Sequence, residues 1–117
     1  MRYQTEDLTI ESQQERDQLV IRWLGRSEGR DPSRTLQHVL EAVGNDFKPA
    51  VDVEFDFRSL EYMNSSTIRP ILKLVQQASA KANNVRVRYD GSKNWQRLSF
   101  KAIGAVLGSL RNVELTA

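Results

Sequence analysis

Phe57-Arg58-Ser59-Leu60-Glu61-Tyr62-Met63-Asn64-Ser65-Ser66-Thr67-Ile68-Arg69-Pro70-Ile71-Leu72 is the stretch on which the reading of this chain turns. A strand runs into a tight polar turn, and the turn opens a helix. Asn, Ser and Thr are preferred helix caps because their side chains accept from amides that have no partner inside the helix. Pro70 fixes where that helix begins. Proline is harmless in the first turn and costs about 3 kcal/mol in an interior, so the cap must fall at Ser65, Ser66 or Thr67. The helix is expected from about Ser66 to Asn83, with Ile68, Ile71, Leu72, Val75, Ala78, Ser79 and Ala82 inward. Leu74 lies off that stripe and reads as an exposed apolar contact. Three adjacent hydroxyls stand where free amides and the helix dipole favour negative charge. A phosphate there would gain amide hydrogen bonds, with Arg69 nearby, although plain capping is the simpler reading of composition alone.

Outward from the turn, Val51, Val53, Phe55 and Phe57 alternate with Asp52, Glu54 and Asp56. Val85, Val87 and Tyr89 alternate with Arg86, Arg88 and Asp90. A strand covered on both faces would be apolar throughout, so the helices should lie on one face and the other should meet water. If the two strands are neighbours, the acidic row opposes Arg86 and Arg88, with Arg22 as a third basic member. Leu8 and Ile10 suggest a short first strand, and Gln18–Leu24 a stronger second one, joined by a polar loop over 13–17. Gly25 and Gly29 punctuate a loop through Pro32. Asp31 and Pro32 then open a helix with Leu36, Val39, Leu40 and Val43 on one stripe, and Gly44-Asn45 stops it. His38 lies off that stripe and should face solvent. A last helix carries Trp95, Leu98, Ala102, Ile103 and Val106 inward, Gly108 ends it, and Asn112–Leu115 forms a last strand. The expected architecture is α/β, a mixed sheet of about five strands with helices on one face, in the order β-β-α-β-α-β-α-β, as one domain over 1–117.

Composition removes several classes of function. The chain has 117 residues, no cysteine and one histidine. Thiolate sites, disulfide scaffolds and multi-histidine metal centres are therefore excluded. No apolar run approaches the roughly 18 residues that span a bilayer. Residues 1–7 lack a signal-peptide layout, and a soluble cytoplasmic protein is the expectation. No Gly-rich phosphate loop or nucleophile elbow is present, and the carboxylates lie on an open strand face with basic neighbours, so neither enzymatic activity nor a cofactor is expected. Residues 1–57 hold 7 basic and 12 acidic residues, and residues 58–117 hold 10 and 3. The basic residues of the second half scatter over helices and the open sheet face, so nucleic acid is not an expected partner.

The element order and the Asn64-Ser65-Ser66-Thr67 turn resemble the STAS domain, the fold of bacterial anti-sigma factor antagonists. Arg97-Leu98 and Ile103-Gly104 are placed like that family's third helix and its small-residue turn. The resemblance implies a partner-switching regulator without catalytic residues. Ser65 would be the phosphoacceptor, with Ser66 and Thr67 as alternatives. Its partners would be a serine kinase of the anti-sigma type, bound when Ser65 is unmodified, and a PP2C-type phosphatase. Asn64, Ser65, Ser66, Thr67, Arg69, Lys73 and Leu74 would form the docking surface of a monomer or weak homodimer. Asn64 stands where the family has an acidic residue, Thr67-Ile68 replaces Gly-Leu, and Pro70 stiffens the following turn. A STAS scaffold that is never phosphorylated, or a ligand-sensing module, is the alternative.

Overall fold

Period-two alternation builds the sheet and helical spacing covers it in the computed structural model, which describes residues 1–5 and 7–117. The elements are β1 (Arg2–Gln4), β2 (Leu8–Glu15), β3 (Gln18–Ser27), α1 (Pro32–Thr35), α2 (Gln37–Gly44), β4 (Asp52–Asp56) and β5 (Leu60–Met63). A 3-10 turn (Ser65–Thr67), α3 (Ile68–Lys81), β6 (Val85–Arg88), α4 (Asn94–Leu107) and β7 (Val113–Thr116) follow. The sheet runs β1-β2-β3-β4-β6-β7, with β5 also pairing β3. The hairpin pairs are antiparallel, and every pair made by β4 to β7 is parallel.

The expected α/β architecture holds, with seven strands among the described residues rather than about five. The two additions carry little pattern to read. β1 has three residues and borders β2. β5 buries Leu60 and Met63 and exposes Glu61 and Tyr62 between them, a pattern without period two. The hairpin loop shrinks from 13–17 to Arg16-Asp17, because the ladder continues through Gln13↔Val20, Gln14↔Leu19 and Glu15↔Gln18, with polar residues on the β2 side. Arg16 takes the left-handed conformation (φ 56°) that so tight a turn requires.

Gly25 lies inside β3 rather than in a loop. Its φ is +90°, and a Cβ there would stand 2.1 Å from the Asp7 carbonyl oxygen. The register shifts between Gly25 and Arg26, and this bulge lets β3 leave β4 and pair β5.

One core joins the inner sheet face to the helices. Leu19, Ile21, Trp23, Val53, Phe55, Val85 and Val87 meet Val39, Val43, Ile71, Val75, Phe100 and Ile103. Trp23, Phe57, Phe100 and Tyr89 form an aromatic chain with ring centroids 5.0–5.3 Å apart. Outside, Arg22 meets Asp56, Arg88 meets Glu54, and Arg86 reaches past the acidic row to Glu114 of β7.

Two helix phases differ from expectation. α4 buries Gln96, Phe100, Ile103 and Leu107, so Leu98 and Val106 point outward at 58% and 51% exposure. Gly104 lies within α4 instead of in a turn, against Leu115. Leu74 is 2% exposed. α3 is covered by the sheet on one side and by α2 on another, so its buried stripe is wider than one face.

Candidate functional site

The turn after β5 is held by side chains that share hydrogen bonds. Thr67 Oγ1 lies 2.8 Å from Asn64 Oδ1 and donates to it, and buried Ser27 Oγ completes the chain at 2.7 Å. Thr67 has one proton, so Ser27 donates to Thr67 in this arrangement. The Asn64 amide donates to the Gly29 carbonyl at 2.8 Å, and its backbone N–H donates to the Ser27 carbonyl at 2.9 Å. The Thr67 N–H donates to the Asn64 carbonyl at 3.1 Å, which closes the 3-10 turn. Asn64 thereby ties the start of α3 to the end of β3.

This arrangement separates the hydroxyls of the turn. Ser65 and Ser66 are exposed, and Asn64 is half-buried. Thr67 is fully buried with its hydroxyl engaged twice, which removes it as an accessible acceptor or contact. Leu74 is likewise corrected from an exposed contact to a core residue. Arg69 and Lys73 are exposed and line a groove between α3 and the α1–α2 segment.

A second set of bonds supports the turn from below. Gln96 is fully buried at the first turn of α4. Its Nε2 donates to the Phe57 and Leu60 carbonyls at 2.7 and 2.8 Å, and its Oε1 accepts from the Asp90 N–H at 2.7 Å. The Lys93 ammonium donates to the Arg58 carbonyl at 2.7 Å. Asp56 accepts from the Arg58 backbone and guanidinium over 2.8–3.0 Å. Burial pushes the Asp56 carboxyl up, but the Arg58 hydrogen bonds and charge, with Arg22 beyond, outweigh it and hold the group below the usual carboxylate range. The Asp90 carboxyl is held below its ordinary range chiefly by the Ser92 hydroxyl and N–H. Sequence reading missed Ser27 and Gln96. Gln96 does carry a signal, a polar residue in phase with Phe100 and Ile103, and its amide adds a second donor to the Phe57 carbonyl, which already accepts from the Leu60 N–H, and one to the Leu60 carbonyl. Ser27 carries none, since its role depends on the register with β5.

Among the described residues no His, Asp and Glu cluster could hold a metal ion, and no helix is long and apolar enough to cross a membrane. No family model matches the sequence, and no curated protein does. Solved structures do match in fold. An anti-sigma factor antagonist from Mycobacterium paratuberculosis is 13% identical, over 85% of this chain and 81% of that one, with a TM-score of 0.64. The anti-sigma factor antagonist SpoIIAA in its unphosphorylated form is 15% identical, over 92% and 88%, at 0.57. A protein of the DUF3478 family from Shewanella loihica, described as having a SpoIIAA-like fold, is 13% identical over 99% and 90%, at 0.58. These likenesses bear out the expected fold.

Proposed function

We propose, from a fold shared with anti-sigma factor antagonists, that this chain is a partner-switching regulator controlled at Ser65. The observation that carries the reading is the exposed Ser65 hydroxyl beside a buried Thr67 in a turn clamped from two sides. The unmodified turn docks a serine kinase of the anti-sigma type, with Asn64, Ser66, Arg69 and Lys73 around Ser65. The kinase passes the terminal phosphoryl of ATP to Ser65 Oγ; the new O–P bond forms, ADP leaves, and the hydroxyl proton goes to a base of the kinase. A PP2C-type phosphatase hydrolyses the ester with water and restores docking. The phosphate adds about two negative charges at neutral pH. Unpaired in a desolvated interface it costs several kcal/mol, and about 1.4 kcal/mol already means tenfold in affinity.

Intact mass tests the reading, with the candidate kinase and ATP added to wild type and to Ser65→Ala. Wild type should gain one phosphoryl group and the variant none. Ser65→Asp should stay folded and lose kinase binding. A single phosphoryl on Ser66 instead, or equal binding of Ser65→Asp and wild type, overturns it.

A further inference from the structure

Arg69, Lys73, Gln77 and Lys81 are spaced four apart and form one ridge along α3. The ridge is one wall of a groove of about 680 Å³, and Arg34, Leu40 and Glu41 stand on the other. Pro70 and Leu74 lie buried beneath the groove floor, and half-buried Leu40 is the apolar side chain that opens onto it. Among the described residues none of Arg34, Arg69, Lys73 and Lys81 makes an ion pair. The two carboxylates of the lining are already engaged: Asp31 caps α1 by accepting from the Arg34 N–H, and Glu41 accepts from the Gln37 amide at 3.3 Å. Cations along a groove between two helices, over a narrow apolar floor, match the charge and the apolar edge of a third, acidic helix.

We propose that this groove docks an acidic amphipathic helix of a partner protein. A second copy of this chain does not fit, because α3 and α4 carry basic residues and no acidic ones, and would meet the ridge with like charge. Nucleic acid fits less well, since the lining holds no aromatic side chain for a base to stack on. The proposal rests on the Ser65 reading in one respect. Ser65 lies four residues before Arg69, so a phosphate there puts negative charge at the head of the ridge and repels an acidic helix.

The test uses the full unmodified chain, labelled with 15N, and a synthetic helical peptide as long as α3 with leucines on one stripe and glutamates on both flanks. The same peptide with lysine for glutamate, a scrambled isomer and a single-stranded oligonucleotide are the comparisons. The acidic peptide should bind with shifts centred on residues 34–41 and 69–81, and the comparisons should bind at least about tenfold more weakly. The triple variant Arg69→Glu, Lys73→Glu, Lys81→Glu should weaken the acidic peptide about tenfold or more, since each exposed pair contributes roughly 1.4- to fivefold and each reversal also sets like charges together. A Leu98→Ser, Val106→Ser variant on α4 should bind as wild type. Tighter binding of the oligonucleotide, shifts centred on α4 or the open sheet face, or no saturation by the acidic peptide overturns the proposal. The two readings fail separately. Peptide binding without phosphoryl transfer removes the switch and keeps the groove, and transfer without peptide binding does the reverse.

Discussion

Asn64 receives the Thr67 hydroxyl proton on its carbonyl oxygen and gives an amide proton to the Gly29 carbonyl. Both ends of the side-chain amide are therefore used. An aspartate, the residue the STAS resemblance leads one to expect, would keep the first bond and lose the second. Its carboxylate would also face the Gly29 carbonyl oxygen.

Asn64→Asp is accordingly expected to destabilise the fold by about 1–2 kcal/mol, the effect of leaving an acceptor unpaired and placing like partial charges together. Urea unfolding at neutral pH checks this, and lowering the pH until the aspartate is protonated should recover part of the loss. Unchanged stability at neutral pH would show that the bond to Gly29 contributes nothing.

Gln96 makes three hydrogen bonds from full burial. Gln96→Leu keeps the volume, strips the Leu60 carbonyl and the Asp90 N–H of their Gln96 partner, and leaves the Phe57 carbonyl with the Leu60 N–H as its donor. The expected cost is about 2–4 kcal/mol. Amide exchange should rise first at residues 57–60 and at Asp90, ahead of β3 and β6. Loosening spread evenly over the sheet would contradict a local brace.

The Asp56 carboxyl, only 5% exposed and held down by Arg58 and Arg22, links stability to acid. Its folded value lies below the unfolded one of about 3.9, so its contribution is complete above about pH 4 and disappears as pH falls through the folded value. Asp90 is lowered as well, so a wild-type profile alone mixes the two groups. The difference between wild type and Asp56→Asn separates them. That difference in urea midpoint should be constant from about pH 5 to 7 and shrink below about pH 4. A constant difference down to about pH 2.5 would mean that the ion pair is not the source.

The parallel core was legible because β4 and β6 declare one apolar and one charged face in plain alternation, and the register then sets Glu54 opposite Arg86 and Asp56 opposite Arg88. The helix start was legible because Pro70 tolerates few positions. β1 and β5 were not, since edge pairing needs no apolar pattern and the β5 pairing follows from a bulge at Gly25 that exists only once the strands meet. Within the turn, Thr67 was legible as one of three cap positions; it is the N-cap of α3, but its hydroxyl turns to Asn64 and Ser27 and not to a helix amide. Which of the three hydroxyls faces water was not, because that depends on Ser27, far off in sequence and brought within 2.7 Å of Thr67 by the sheet.

α4 shows the limit of periodicity most sharply, because it carries two apolar stripes. Trp95, Leu98, Ala102 and Val106 form one, and Phe100, Ile103 and Leu107 the other. Hydrophobic spacing alone cannot choose between them; buried Phe57, tilted against Phe100 at 5.0 Å, and half-buried Tyr89, stacked on it at 5.3 Å, do. Paired substitutions measure the choice. Leu107→Ala should cost about 2–5 kcal/mol, as for a leucine buried on all sides. Leu98→Ala at the same helix should stay within about 0.5 kcal/mol of wild type. Comparable losses at both positions would mean that the outward stripe is covered in solution. The protein should then also elute as a larger species in size-exclusion chromatography at high concentration, and Leu98→Ala should return it to monomer size.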